Sequence, residues 1–315
     1  MDVKQLRALL AIAETGSVTR AAELLHIVQP AVSRQLRLLE EDMGTMLFER
    51  GRRGMDLTEA GHILASHARR ALHELDQAKA QIIPAPGTVS GAVTIGLLPS
   101  TGDLLAAALV SGLKRQYPQL TVNISVGYAG YLQQWLEDGE VDAALLYDPK
   151  PSSLLEVQPL LDETLYLVGL PASQPTTDKV IALQEIAGLP LILPGQPHGL
   201  RLLLDRACAG GNIHLNVAAE TNAMSIQKNL VMSGLGYTIL PGVAIVDDLA
   251  AGRLRAWAIA RPSLQRKIVL ALPLTRRSSI ALRCAVTELL ALMQARVTKG
   301  EWPGATWLGP LAATP

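Results

Sequence analysis

Aromatic residues make up only 3% of this 315-residue chain, charged residues 18%, and cysteine occurs twice. Cys208 and Cys284 are too few and too far apart for a disulfide framework or a zinc site, and they fit core positions in a reducing compartment. The formal net charge is zero, with 28 basic and 28 acidic side chains. That balance weighs against holding nucleic acid by bulk electrostatics, so any basic face must be local. No apolar run is long enough to span a bilayer, and residues 1–16 carry Asp2, Lys4, Arg7 and Glu14 where a leader would be apolar. A soluble, cytoplasmic protein with no membrane segment is expected. A Gly-x-Ser-x-Gly elbow, a Walker loop and a His-Glu-x-x-His helix are also missing. Pairs such as Glu137-Asp138 and Asp247-Asp248 read as solvated helix surface, so no enzyme, metal or cofactor is expected.

The chain is 49% hydrophobic and long enough for two domains joined by a linker. Val3, Leu6, Leu9, Leu10 and Ala13 recur at three and four, which predicts a helix with Asp2 near its start and Gly16 just past its end. Ser17 is placed to cap a second helix, Val18 to Leu25, whose Ala21-Ala22 lets another helix cross closely. After His26-Ile27-Val28, Pro30 occupies a first-turn position where its missing N–H costs nothing. Val32, Leu36, Leu39 and Met43 then mark a buried stripe, leaving Ser33, Arg34 and Arg37 outward. Two helices, a short turn and an exposed N-terminal half bearing Gln, Ser and Arg make a helix-turn-helix. Gln pairs with adenine, Arg with guanine or phosphate, and Ser with either. Gly51 and Gly54 bracket a tight hairpin that would lay Arg50, Arg52 and Arg53 along phosphates or into a minor groove.

On these residues the first 65 or so positions resemble the DNA-binding domain of the LysR-type transcriptional regulators, with a slight likeness to the nitrogen assimilation control branch. The match runs through LRALLAIAETGSVTRAAELLHIVQPAVSRQLRLLEEDMGTMLFER, Leu6 to Arg50, and LTEAG, Leu57 to Gly61. It implies double-stranded DNA as a partner and Gln29, Pro30, Ser33 and Arg34 as groove contacts. Arg50, Arg52 and Arg53 would reach backbone or minor groove, and helical spacing adds Arg37. Val28 departs from the pattern, where many members have a capping Ser; a lost cap costs roughly 1 kcal/mol.

Thr58 and Glu59 begin a further helix. Along it Leu64, Ala68, Ala71, Leu75, Ala78 and Ile82 alternate spacings of four and three, the seam of a coiled coil. Such a seam predicts a homodimer, or a tetramer built from it, and a two-fold protein presents recognition helices to two half-sites. His62, His67 and His73 on this helix share no face and read as solvated. Pro84 and Pro86 stop the helix.

From Val93 short apolar strands alternate with helices, which predicts a largely parallel sheet covered on both faces. LEVQPLLDETLYLVGL reads as an extended crossing into a second lobe, and KIVLALP with the helix Ser279 to Val297 as the return. TIGLLPS, YPQLTVNISVG, LEDGEVDAALLY and GLGYTILP resemble the effector-binding domain of the same family, which implies a type 2 periplasmic-binding-protein fold. The expected organisation is a winged helix-turn-helix at 1–58, a linker helix at 59–83, a hinge at 84–91 and a two-lobed α/β domain at 92–298. Lobe I would take about 92–161 and 268–298, lobe II about 162–267. The Pro- and Gly-rich tail, 299–315, reads as poorly ordered or packed on another subunit.

Ligands in open α/β sheets sit at the carboxyl ends of strands, against helix N-termini. Those positions are Ser100, Thr101, Gly127, Tyr128, Tyr147, Gln196, His198, Arg201 and Thr221. His198 and Arg201 would suit an acidic effector, with an organic acid as one candidate class. The family implies a regulator whose small-molecule state alters the angle between its DNA-binding domains, and leaves RNA polymerase open as a partner. An effector-independent DNA binder and a cytosolic solute receptor remain as alternatives.

Overall fold

The computed structural model describes residues 1–51, 54–82, 88–173, 175, 180–211, 213–274 and 279–310, apart from the side chains of residues 77 and 79–82. The chain divides into two compact units, residues 1–87 with 137–140, and residues 88–136 with 141–315. Among the described residues no helix is long and apolar enough to cross a membrane.

Asp2 opens helix α1 (Val3–Thr15) with a capping box: its carboxylate accepts from the Gln5 backbone N–H at 2.8 Å, and the Gln5 side chain accepts from the Asp2 N–H at 2.7 Å. Gly16, at φ +64°, ends α1, and the Ser17 hydroxyl caps α2 (Val18–Leu24). Helix α3 (Gln29–Met43) starts at Val28, which makes no side-chain cap. Val32, Leu36 and Leu39 of α3 join Leu9, Ile12, Ala21 and Ala22 in one core. Met43, expected in that stripe, is 38% exposed, because the helix stops there at Gly44, φ +68°, before another turn can cover it.

Strands β1 (Phe48–Gly51) and β2 (Gly54–Leu57) form the antiparallel wing, with Gly51 opposite Gly54. The wing docks on the turn after α1, where the Met55 N–H donates to the Gly16 carbonyl at 3.0 Å. Gly54 has φ +131°, and a Cβ there would meet the Gly16 oxygen at 2.3 Å, so only glycine fits. Thr58 accepts from the Gly61 N–H at 3.0 Å to begin α4 (Glu59–Ile82).

The second unit begins with β3 (Gly91–Leu97), α5 (Pro99–Gln116), β4 (Leu120–Val126), α6 (Ala129–Asp138) and β5 (Ala143–Tyr147). The long strand β6 (Leu155–Gly169) follows, then β7 (Val180–Ala182), α7 (Leu183–Ala187), β8 (Leu191–Leu193), α8 (Gly199–Ala209), β9 (Val217–Glu220), α9 (Met224–Met232) and β10 (Thr238–Pro241). A 3-10 turn at Gly242–Ile245 leads into α10 (Val246–Ala250), β11 (Arg255–Ala260), β12 (Gln265–Pro273), α11 (Ile280–Thr298) and β13 (Ala305–Trp307). The main strand order is β4-β3-β5-β12-β6-β11-β7, with β10 and β13 also on β6.

The fold is mixed α/β in two lobes, and the sheet is less parallel than the strand-helix alternation predicts. Strand β3 runs parallel to β4 and β5, but β12 is antiparallel to both β5 and β6. The reason is that β6 crosses out of the first lobe and β12 crosses back, so they meet head to tail. The first half of β6 pairs with β12, and its last residues pair with β10 and β11. One core fills the first lobe, and two cores cover the faces of the second, with Leu165 and Leu167 on one side and Val168 on the other, as strand alternation requires.

The described part of the C-terminal segment, residues 299–310, packs on the first lobe. Trp302 is 1% exposed and belongs to the first lobe's core, and β13 pairs antiparallel with Leu161–Glu163 of β6. Its composition of Pro, Gly and two Trp gives no periodic signal, because three residues make the strand.

Candidate functional site

The side chains expected to carry function gather on two surfaces. On the first unit, Gln29, Pro30, Arg34, Arg37 and Arg50 are exposed and Ser33 is half-buried. The Gln29 amide donates to the Ser33 hydroxyl at 2.9 Å, one helical turn on, which fixes both on the open side of α3. Arg37 leans on Glu41 at 3.5 Å; Arg34 has no carboxylate partner among the described residues. Arg52 and Arg53 lie outside the described residues, so only Arg50 places the wing's charge. Apolar groups also flank the start of α3, with Val28 70% and Ile27 45% exposed.

Along α4 the expected seam divides. Ala68, 2% exposed, packs into its own helical core, with Leu64 half-buried beside it. Ala71, Leu75 and Ala78 are exposed. The side chain of Ile82 lies outside the described residues.

On the second unit a cavity of about 40 Å³ opens between the lobes. Its wall combines Ser100 at the start of α5, Tyr128 before α6, Tyr147 at the end of β5, His198 before α8, Gln227 of α9 and Arg266 of β12. A second cavity of about 150 Å³ lies across Tyr147, Leu200 and Arg266 and is bounded by Asp148, Arg206 and Lys267.

His198 caps α8: its Nδ1 accepts the Leu200 N–H at 3.1 Å, which leaves the proton on Nε2. The Tyr128 ring stands edge-on to the imidazole, centroids 4.5 Å apart, and the Tyr147 hydroxyl lies 3.4 Å from the ring nitrogens. Burial first, then the charge of Arg266, holds the imidazole pKa down to about 4. His198 is therefore neutral at pH 7. Burial likewise raises the Tyr147 and Tyr128 hydroxyls.

That depression has a measurable consequence. Between pH 6.5, the ordinary value, and about 4, the unfolded chain binds a proton that the folded chain refuses, so stability should fall as pH drops through that window. His198→Asn keeps a capping side chain and removes the titration; its loss of urea stability from pH 7 to pH 5 should be shallower than the parent's. Parallel curves would reject the buried neutral imidazole.

Arg266 donates from Nε to Glu163 at 2.6 Å and from a terminal nitrogen to Ser100 Oγ at 3.0 Å, and stands 4.7 Å from the Tyr147 ring centroid. Gln227 is 4% exposed, and its Nε2 has no hydrogen-bond partner among the described residues. A buried amide donor with nothing to donate to is costly. Here it borders the cavity.

Of the positions picked from strand ends, Ser100, Tyr128, Tyr147 and His198 line this cavity. Thr101, Gly127, Gln196, Arg201 and Thr221 do not. The Thr101 hydroxyl donates back to Leu98 O at 3.0 Å, and Thr221 Oγ1 accepts from the Ala223 N–H at 3.3 Å. Gln196 donates to Asp205, and Arg201 is spent on Asp205 at 2.9 Å and Glu220 at 2.6 Å. Arg266 and Gln227 escaped sequence reading. A signal existed for the first: Glu163 shares the strand face of Leu161, Leu165 and Leu167, and a carboxylate on an apolar face demands a buried cation.

Residues 3–62 match the model of the bacterial regulatory helix-turn-helix protein, lysR family, and residues 86–294 match that of the LysR substrate binding domain. The chain is 33% identical to the HTH-type transcriptional regulator BbuR of Bordetella bronchiseptica over 307 residues, 96% of this chain and 94% of that one. It is 31% identical to the nitrogen assimilation regulatory protein nac of Klebsiella aerogenes, covering 94% and 96% of the two chains. Among solved structures, a full-length OxyR variant from Pseudomonas aeruginosa superposes with a TM-score of 0.69 at 24% identity, over 93% of this chain and 95% of that one. Full-length CbnR complexed with its target DNA gives 0.64 at 21% identity, over 94% and 99%. Those two likenesses concern the fold.

Proposed function

The chain belongs to the LysR family of DNA-binding transcriptional regulators, and from that premise we propose that it reads a two-fold DNA site as a homodimer or tetramer under control of a small molecule held between its lobes. The observation that carries the DNA half is the division of α3: Val32, Leu36 and Leu39 are buried while Gln29, Arg34 and Arg37 face solvent from its first turns. Arg34, uncommitted to any carboxylate among the described residues, is assigned to a base edge or phosphate.

For the effector, the supporting observation is the orphaned Gln227 donor at a cavity where α5, α8 and α9 begin. Helix N-termini, the Ser100 hydroxyl and Gln227 all offer hydrogen to a ligand. A small molecule presenting a carbonyl or carboxylate oxygen fits; organic acids belong to that class. Arg201, paired with Asp205 and Glu220 and off the cavity wall, supports this role less than Arg266 does.

The test is selection of bound fragments from sheared genomic DNA by the full-length protein at about 0.15 M salt. A two-fold symmetric site should emerge, and Arg34→Ala should bind it weaker by roughly 1–3 kcal/mol with relaxed choice at one base pair per half-site. Unchanged affinity and site choice would remove Arg34 from the interface, and random fragments would remove the specific-regulator reading.

A further inference from the structure

Residue 294 ends the part of the chain that matches the family's effector-domain model, yet the segment beyond it reaches the cavity through buried contacts. Trp302 Nε1 donates to Glu163 Oε1 at 2.8 Å, and the other oxygen of the same carboxylate accepts from Arg266 Nε at 2.6 Å. Trp302 is 1% exposed and Glu163 0%, so water cannot substitute for either contact. On β6, Glu163 lies between two strands, opposite Arg266 on β12 and opposite Ala305 on β13. The segment is seated closely: the Gly304 carbonyl accepts from the Thr164 N–H at 2.9 Å, and a Cβ on Gly304 (φ +75°) would meet the Tyr166 hydroxyl at 2.6 Å.

A carboxylate facing a guanidinium can turn about its terminal torsion, and a second donor on its other oxygen fixes that angle. Trp302 supplies the donor. We propose that the segment Gly300–Trp307 is a working part of the cavity, in which Trp302, acting through Glu163, positions the Arg266 guanidinium against Ser100 and over Tyr147. Trp302 is thus a positioning residue that touches no ligand itself. The bearing on effector binding rests on the reading of this cavity as the effector site; the orientation of Arg266 does not, and it can be measured without a ligand.

The experiment follows the Arg266 Nε–H by NMR in the isotope-labelled full-length chain. In Trp302→Phe, which keeps an aromatic ring and loses the N–H, its exchange with water should rise by about tenfold or more, the factor corresponding to loss of a charge-assisted hydrogen bond. The imidazole of His198, which faces Tyr128, Tyr147 and Arg266, should titrate higher as the guanidinium loosens. Trp307→Phe serves as the control, since the Trp307 indole donates to the Pro310 carbonyl instead, and should leave both signals in place. Exchange within twofold of the parent in Trp302→Phe, with the His198 titration unmoved, would overturn the proposal.

Should Trp302→Phe fail to fold, the unaltered chain gives the answer. Under mild urea the Trp302 indole N–H and the Arg266 Nε–H should open with one common free energy, as members of one cooperative unit. Opening of Arg266 while the Trp302 indole stays protected would equally overturn it. An unidentified or absent effector would change neither result.

Discussion

Glu163→Ala is expected to destabilise the effector domain by about 3–5 kcal/mol, the cost of breaking a buried ion pair by removing one partner. The carboxylate is 0% exposed and the Arg266 side chain 9%, so the guanidinium left behind has little water to turn to. The indole N–H of Trp302 would lose its acceptor as well. Domains of this kind have roughly 5–15 kcal/mol in total, so the loss takes a large share of the stability. Urea unfolding of the full-length protein measures it. The control is the charge-free triple variant Glu163→Leu, Arg266→Met and Trp302→Phe, which should recover most of the loss because it removes both the buried guanidinium and the indole N–H that would otherwise lack a partner. A Glu163→Ala loss below about 1 kcal/mol, the value typical of an exposed pair, would mean that Arg266 swings out to solvent and that the pair does not organise the cavity.

The same pair shows where local sequence reasoning stops. The first helices were legible because their signals are local: Asp2 and Gly16 bracket α1, Ser17 caps α2, and the α3 stripe recurs at helical spacing. Val28 was legible as an uncapped start from its departure from the family pattern. In the effector domain the strands were legible but their directions were not, since whether β12 runs with or against β5 depends on a partner more than a hundred positions away. The cavity divides along the same line. Ser100 and Tyr128 follow strand ends closely and Tyr147 closes β5, and topology alone places them. Arg201 and Gln196 follow a strand end too, but Asp205, one or two helical turns on, competes for them, and that competition is decided by side-chain direction. Glu163, Arg266 and Trp302 come from three distant segments, and only packing joins them. Among these, the carboxylate on the apolar face of β6 was the one clue in the sequence, and it pointed to a cation without saying which.

Leu75→Asp is the other large effect, and it separates the two halves of the linker helix. Ala68 is covered and Leu64 half-covered by the protein's own helical core, so the described seam positions left open to a second chain are Ala71, Leu75 and Ala78, with Leu75 45% exposed. An aspartate at the seam would place two carboxylates against each other across a two-fold axis, a like-charge contact in an apolar setting. Because Leu75 is substantially exposed within its own chain, folding of the winged domain should survive, and the melting temperature of the N-terminal core should move little. What should be lost is simultaneous engagement of two half-sites, a bivalency worth about 10²–10⁴ in affinity. Light scattering on the variant should report a monomer, and titration with a two-half-site duplex should weaken by that factor while affinity for an isolated half-site stays constant. A variant that stays dimeric and keeps its duplex affinity would move the dimer interface off α4 and leave Leu75 as an ordinary exposed leucine. A monomer that keeps full duplex affinity would break the link between the helix seam and two-fold DNA recognition.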